Sequence, residues 1–234
     1  MNILAICAHP DDIEVNCAGT LLRYKEAGHK IFIALTTSGN TGSNIIPSKG
    51  QTAAIREKEM LRSAAYLDAQ VRFLRFDDEG LQDTPETRRA VLTAIRWADP
   101  DIIFTNAYTD GSTDHAMTSQ LVTRVILSVG GRHHNADLPP MNKKPQVFFF
   151  TSGGNIENNP RAYVDITRQM DTKKKMLYCH ESQYMWMQEF VEGDFCDSMV
   201  ANSRMLGIQA GYQYAEGFVA FNFPGYRGDY RLLP

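Results

Sequence analysis

The chain has 234 residues, of which 43% are hydrophobic and 22% charged, a composition typical of one globular domain with a well-buried core. Its 24 basic and 27 acidic residues give a formal net charge of −3, which argues against nucleic acid or an anionic membrane as a partner. Four separated cysteines, no basic leader and no long apolar run predict a cytoplasmic protein with free thiols and no membrane insertion.

Short apolar runs alternate with helical patterns along the chain. Runs rich in Ile, Phe and Val predict strands at Asn2–Cys7, Lys30–Thr36, Val71–Phe76, Asp101–Asn106 and Gln146–Thr151. Between these runs, helical spacing of apolar residues predicts helices at Cys17–Ala27, Thr52–Leu67, Thr84–Ala98 and His115–Val129. A further strand is predicted at Ala162–Ile166 and a further helix at Arg168–Tyr178. The alternation predicts an α/β fold in which helices cover both faces of a mostly parallel sheet.

The whole chain, residues 1–234, is predicted to form a single domain, because no repeat, low-complexity tract or linker interrupts it. The tail from about Gly211 is rich in aromatic residues and glycine. We expect this tail to cover an edge of the fold or to pack on another subunit of a homo-oligomer.

Two polar clusters follow predicted strands. The sequence HPDD, residues 9–12, comes directly after the first strand, and YTDGSTDH, residues 108–115, comes after the fourth. In open α/β sheets, ligands bind outside the carboxyl ends of the strands near a switch point in the topology, where the first and fourth strands are commonly neighbours. Residues of the two clusters are therefore expected to face each other across one crevice.

The two clusters contain the donors of a metal site. His9, Asp12 and His115 would supply two imidazoles and one carboxylate, a set that suits zinc and leaves a position open for water. Asp11, beside them and not itself a ligand, has the properties of a general base toward that water. Asp114 or Asp110 is predicted to orient a ligand or a catalytic group.

The motifs of the sequence resemble those of a known family. AHPDDIEVNCAGTL is similar to the A-H-P-D-D-E signature of the PIG-L/LmbE-like zinc-dependent de-N-acetylases, which include GlcNAc-PI, mycothiol-pathway and bacillithiol-pathway deacetylases. Other segments follow in the family's order, namely TSGNTGS, IREKEMLRSAAYLDA, FDDEGL, TDGSTDHAMTSQLV and HESQY. The resemblance implies a Rossmann-like fold, one Zn2+ per chain held by His9, Asp12 and His115, and Asp11 as the general base. It also implies oligomers and hydrolysis of an N-acetyl group on an amino sugar or a related small amide.

The chain departs from the family pattern at Ser112. Many members have histidine there, in an H-P-D-H motif where this chain reads Ser112-Thr113-Asp114-His115. Serine donates a hydrogen bond but carries no positive charge, so a slower rate or a different substrate is expected. Another residue would otherwise fill the role, and His133 and His134 are the candidates, although solvated loop histidines are the simpler interpretation of both.

Several residues have structural alternatives. Asp12 and Asp114 are both candidates to cap helices. Arg56, by resemblance a substrate contact, would otherwise be a surface charge paired with Glu57 or Glu59. Asp78 is predicted to bind a sugar hydroxyl or to shape a turn, and Ser112 to contact substrate.

The remaining motifs predict less. His180 and Gln183 of HESQY would contact substrate or pack at a helix end, and Gly39 and Gly42 are weak candidates to cradle a phosphate. The loops Asn40–Gly50 and Gly130–Lys144 are expected to select the substrate.

Three functions compete at this stage. The first is a zinc-dependent de-N-acetylase acting on an acetylated amino sugar. The second is a nucleotide-binding Rossmann enzyme, which is disfavoured because no G-x-G-x-x-G follows the first strand. The third is a non-catalytic or altered-specificity relative that binds sugar or metal, an alternative that Ser112 keeps open.

Overall fold

One seven-stranded sheet organises the computed structural model, which describes residues 1–134, 136–151, 159–187, 194–223 and 226–234. The strands are β1 Asn2–Cys7, β2 Lys30–Thr37, β3 Gln70–Phe76, β4 Ile102–Thr105, β5 Gln146–Phe150, β6 Ala162–Asp165 and β7 Ala215–Ala220. Their order in the sheet is β3-β2-β1-β4-β5-β7-β6. Strands β1 to β5 run parallel, and β7 is antiparallel to both β5 and β6.

Helices connect the parallel strands and cover the sheet. They are α1 Asp12–Asn16, α2 Ala18–Glu26, α3 Lys49–Ala64, α4 Pro85–Ala98, α5 Thr113–Val125, α6 Met170–Leu177, α7 Glu181–Met187 and α8 Phe195–Ala210. Thr84 caps α4 by accepting the backbone N–H of Thr87, and Pro85 stands at its first position, where the missing N–H costs nothing. Within the described ranges, no helix is long and apolar enough to cross a membrane.

Hydrophobic cores lie on both faces of the sheet. In β1, Ile3, Ala5 and Cys7 pack with α1, α2, α3, α6 and α8, whereas Leu4 and Ile6 pack with α4 and α5. A strand buried on both sides is apolar at every position, as the run after Asn2 is. These findings confirm the predicted Rossmann-like α/β fold, with its mostly parallel sheet covered by helices on both faces.

The C-terminal tail differs from its prediction. Its segment Ala215–Ala220 is strand β7, which lies inside the sheet between β5 and β6 and so does not simply cover an edge. Glu216 of β7 accepts hydrogen bonds from the backbone N–H groups of Gly19 and Thr20 at 2.9 and 2.7 Å and forms a buried ion pair with Lys173 at 2.6 Å. This carboxylate ties the tail to the N-terminus of α2 and to α6.

Topology explains why distant motifs meet. Strand β1 pairs with β2 from Asn2↔Lys30 to Cys7↔Leu35, and with β4 from Ile3↔Ile102 to Ile6↔Thr105. The neighbouring placement of β1 and β4 is therefore confirmed. Since these strands are parallel, the segments that follow all three emerge at one edge of the sheet.

Candidate active site

A wide cleft of about 1330 Å³ lies at the carboxyl ends of β1, β2 and β4. The turn after β1, the loop after β2 and residues 106–116 after β4 line it, together with aromatic residues of β5, α7 and α8. Of the candidates predicted from the sequence, His180 is not among the described lining residues, whereas ten others are, namely His9, Asp11, Asp12, Arg56, Asp78, Asp110, Ser112, Asp114, His115 and Gln183.

Asp12 is held rigidly in the floor of the cleft. Its Oδ2 accepts three hydrogen bonds of 3.0 Å, from the backbone N–H groups of Ala8 and His9 and from the side-chain amide of Asn106. Oδ1 faces His115 Nε2 at 3.1 Å and His9 Nδ1 at 3.8 Å. Asp12 is the first residue of α1, and no side-chain cap is formed there, so the capping alternative for Asp12 is wrong.

His9 and His115 turn their inner nitrogens toward each other. His9 Nδ1 lies 3.1 Å from His115 Nε2. The outer nitrogens face carboxylates, with His9 Nε2 at 2.6 Å from Asp78 Oδ1 and His115 Nδ1 at 3.3 Å from Asp110 Oδ2. Because a carboxylate only accepts, each outer nitrogen carries a hydrogen, and in the neutral rings the inner nitrogens have only lone pairs. Such an arrangement needs a proton or a cation between the two rings.

The three inner atoms fit a tetrahedral metal ion. Separations of 3.1, 3.1 and 3.8 Å among His9 Nδ1, His115 Nε2 and Asp12 Oδ1 bracket the roughly 3.3 Å expected between ligands at about 2.0–2.1 Å from zinc. Both imidazoles are also oriented by carboxylates, as metal-binding histidines usually are. The structure therefore brings the three predicted ligands together, in a group whose donor atoms could hold a metal ion.

The charges of this group depend strongly on one another. Burial alone would raise the pKa of Asp12, but the His115 and His9 rings hold it well below its usual value. Burial would also lower the pKa of His115, yet Asp12 and Asp110 raise it to about 10. The carboxylates Asp114, Asp12 and Asp78 likewise raise the pKa of His9 well above its usual value. The metal-free site thus retains protons that a cation would displace.

Asp11 stands next to the metal-binding group in an unusual backbone conformation. Its φ of 117° is in the region that favours glycine, so its backbone is strained. Burial raises the pKa of its carboxyl above the usual value, although the guanidinium of Arg56 opposes this. A carboxylate of raised pKa beside a metal site suits the predicted role of general base, which stays a prediction.

Arg56 is buried, which overturns the alternative of a surface ion pair. Its Nη2 donates to Pro10 O at 2.5 Å and to Asp11 Oδ1 at 3.2 Å, and its Nη1 donates to Gly39 O at 2.9 Å. The two glutamates suggested as its partners bind elsewhere, Glu57 to Arg75 and Glu59 to Ser182. A contact between Arg56 and substrate stays a prediction.

Asp78 and Asp114 both face His9. Asp78 also accepts the hydroxyl of Thr41 at 2.6 Å, and the His9 contact lowers its pKa despite burial. Asp114 accepts backbone N–H groups of Glu79 and Leu81 and lies 3.5 Å from His9 Nε2. These contacts orient the ring. Direct catalysis by Asp114 and a sugar contact by Asp78 stay predictions.

Ser112 caps helix α5, and so the capping alternative for Asp114 is wrong. The Ser112 hydroxyl accepts the backbone N–H of His115 at 3.5 Å, while Asp114 lies inside the first turn. His133 and His134 are exposed and are not among the described residues that line the cleft. Neither ring therefore stands in for the family histidine that Ser112 replaces. Of the two loops expected to select substrate, residues 41 and 42 of the first reach the cleft, whereas the described part of 130–144 does not.

Sequence reasoning missed Asn106 and the aromatic lining. Asn106 directly follows β4, so the rule that located HPDD would have found it. Its side-chain Nδ2 donates to Asp12 Oδ2, and its side-chain Oδ1 accepts the backbone N–H of Ala8, both at 3.0 Å. Three aromatic side chains of the lining come from β5, α7 and α8, far apart in sequence and without a motif, namely Phe150, Trp186 and Phe195, whereas Tyr108 belongs to the segment YTDGSTDH.

The sequence matches one family model. Residues 4–126, which include every metal-ligand candidate, most of β1 and all of β2, β3 and β4, match the PIG-L family, described as GlcNAc-PI de-N-acetylase.

Individual relatives resemble the chain over most of its length. A diacetylchitobiose deacetylase of Thermococcus kodakarensis is 28% identical over 226 residues, covering 92% of this chain and 81% of the relative. A probable N-acetyl-alpha-D-glucosaminyl L-malate deacetylase 2 of Bacillus anthracis is 25% identical over 196 residues, covering 78% of this chain and 81% of the relative. The structure of an N,N'-diacetylchitobiose deacetylase from Pyrococcus horikoshii superposes with a TM-score of 0.82 at 24% identity, covering 94% and 83% of the two chains, which shows the shared fold.

Proposed function

The chain belongs to the PIG-L family of GlcNAc-PI de-N-acetylases, and we propose that it is a metal-dependent hydrolase that removes an N-acetyl group from a GlcNAc-type substrate. The observation that carries the proposal is the convergence of His9 Nδ1, Asp12 Oδ1 and His115 Nε2 within 3.8 Å, beside the carboxylate of Asp11, which is not one of the three ligand candidates. The named relatives, which are deacetylases of GlcNAc-containing compounds, support the same reaction class.

His9, Asp12 and His115 would hold one divalent ion, for which zinc is the proposed species. Bound there, the ion would supply Lewis acidity toward the amide carbonyl and would make water more acidic. His9 and His115 would bind the ion as neutral imidazoles through their inner nitrogens, because Asp78 and Asp110 face the outer nitrogens and hold the hydrogen there.

Asp11 would move the protons of the reaction. As a carboxylate it accepts a proton from the attacking water, and it returns that proton to the departing amine nitrogen when the carbon–nitrogen bond breaks. The products are acetate and the free amino sugar. Burial keeps the pKa of Asp11 above its ordinary value, which favours uptake of the proton from water.

Two weaker assignments concern the substrate side. Ser112, at the start of α5, is proposed to donate a hydrogen bond near the scissile carbonyl in place of the histidine of many family members. Asp114 is proposed to support catalysis by fixing the His9 ring together with Asp78.

The charge of the cleft favours a substrate without negative charge. Six carboxylate side chains line the described cleft, namely Asp11, Asp12, Asp78, Glu79, Asp110 and Asp114. Arg56 is the only lysine or arginine among the described lining residues, and Asp11 neutralises it. A neutral acetamido sugar avoids repulsion from these groups, whereas phosphate or carboxylate beside the acetamido group would not.

Acetate release from N,N'-diacetylchitobiose, with N-acetylglucosamine 6-phosphate as the anionic comparison, tests the proposal. The protein is measured as zinc-loaded, chelator-stripped and zinc-restored samples. We expect activity that follows zinc content and a higher kcat/KM for the neutral sugar. Bound zinc with no acetate release from any acetylated amino sugar would favour the non-catalytic alternative, and no zinc binding would overturn the proposal.

Location in the cytoplasm and assembly into a homo-oligomer remain predictions from the sequence and from the family resemblance.

A further inference from the structure

The guanidinium of Arg56 is enclosed by two motifs that the proposed chemistry does not use. A Cβ atom on Gly39 or Gly42 would come within 2.4 or 2.5 Å of Arg56 Nη1, far closer than packed atoms approach. From helix α7, Gln183 of the HESQY motif donates its side-chain amide to Gly42 O of this loop at 2.8 Å. The glycines of TSGNTGS therefore serve the close packing of the loop around the guanidinium.

The enclosed guanidinium contacts the turn that carries Asp11. The Nη2 atom donates both to Pro10 O and to Asp11 Oδ1, and Nη1 ties the same group to Gly39 O. Only 3% of the Arg56 side chain is exposed. A planar guanidinium can hold these three oxygens in one arrangement, which the point charge of a lysine cannot do.

The backbone of Asp11 requires such support. A residue other than glycine at φ 117° persists only where its surroundings fix it. No side-chain capping bond stabilises the start of α1 at Asp11. The contacts from Arg56 to Pro10 O and Asp11 Oδ1 bracket the strained peptide on both sides.

We propose that Arg56 is the positioning residue of Asp11: it holds the strained turn and aims the carboxylate at the metal-binding group. The inference rests on the proposed function, since it gives a purpose to Asp11 as base. It also assigns the glycines and Gln183 a common role, which is to enclose the guanidinium.

Two variants perturb Arg56 from different directions. Arg56→Gln removes the guanidinium. Gly42→Ala keeps every charge, and the φ of residue 42 is one that alanine adopts without strain, but the added methyl group displaces Arg56 Nη1. Gly50→Ala is the matched control, because Gly50 lies in helix α3 and is not among the described residues that line the cleft, its Cβ meets nothing within 4 Å and its φ is also ordinary. We expect the first two to lose about 10²-fold in kcat, the typical cost of misplacing a catalytic group, with KM changed less than about threefold and zinc content unchanged. Gly50→Ala should match wild type.

A double-mutant cycle separates positioning from general damage. In an Asp11→Asn background, Arg56→Gln should lower kcat by less than about threefold, because the group it positions is already disabled. An equal loss in both backgrounds, or a raised KM with unchanged kcat, would overturn the proposal.

Crystal structures of Gly42→Ala and Arg56→Gln give a readout that needs no activity. The Asp11 carboxylate and its φ should shift in both variants, while His9, Asp12 and His115 stay in place. An unmoved Asp11 would refute the positioning role. Absence of acetate release by wild type would instead refute the proposed function, so the two failures are distinguishable.

Discussion

Replacing Asp78 by asparagine should weaken zinc binding more than the same replacement of Asp110. Both carboxylates accept the outer N–H of a histidine ligand, but the atoms are 2.6 Å apart at Asp78 and 3.3 Å apart at Asp110. The shorter, charge-assisted contact fixes its ring more strongly. Loss of such an orienting group costs about 10- to 100-fold in metal affinity. We therefore expect about 100-fold at Asp78 and about 10-fold at Asp110, or roughly 2.8 and 1.4 kcal/mol.

Competition with a chromophoric zinc chelator measures both affinities at one pH. Asp137→Asn is the control, because this aspartate is half exposed and pairs with Arg89 on the surface. His9, Asp78 and Asp114 form a second group of possible metal ligands, but the orienting of the His9 ring by the two carboxylates accounts for this group without a second ion. The stoichiometry at saturating zinc should therefore stay at one zinc per chain in every variant. A larger loss at Asp110, or a drop from two zinc ions to one in Asp78→Asn, would refute the reasoning.

Three further predictions address pH, substrate and stability. The pKa of His115 is about 10 in the folded protein against 6.5 in the unfolded chain, so protonation of this ring stabilises the metal-free protein fully below about pH 6.5, and that stabilisation is lost as the pH rises through 10. Because zinc displaces this proton, the gain in Tm on adding zinc should grow over the same pH range. A gain in Tm that does not change with pH would contradict this prediction. Ser112→His should raise turnover on an acetylated amino sugar; unchanged turnover would mean that another residue stabilises charge near the scissile carbonyl. Because the change removes the cap of helix α5, urea titration should show a loss of up to about 1 kcal/mol in unfolding free energy. Glu216→Gln leaves Lys173 buried without its partner, so unfolding free energy should fall by about 3–5 kcal/mol at unchanged zinc content, and a fall below 1 kcal/mol would contradict the structural role.

Much of the fold and the location of the site were predictable because both depend on local patterns. The runs Ile3–Cys7 of β1 and Ile102–Phe104 of β4 contain no polar residue to mislead an assignment, and the parallel alternation then places the carboxyl ends of the two strands together. His9 and His115 meet for that reason alone.

Contacts formed by long-range packing were not predictable. The segment Ala215–Ala220 reads as a Gly-rich aromatic tail, and only pairing with β5 and β6 makes it a strand. Arg56 looks like a surface residue of a polar helix, since nothing in its neighbours reveals the glycine loop that encloses it. Similarly, Asp78 fits a turn, and its contact with His9 depends on the side-by-side placement of β1, β2 and β3.

Comparison of Asp11→Asn with Asp12→Asn tests the central claim most directly, by measuring zinc content and acetate release on the same samples. Asp12→Asn removes a ligand charge, so zinc affinity and activity should fall together and recover in part at high zinc. Asp11→Asn keeps the size of the side chain but cannot take the proton, so zinc content should stay near wild type while turnover falls by about 10²–10⁴-fold at any zinc concentration. Retention of most turnover by Asp11→Asn, or loss of its zinc as in Asp12→Asn, would contradict the account.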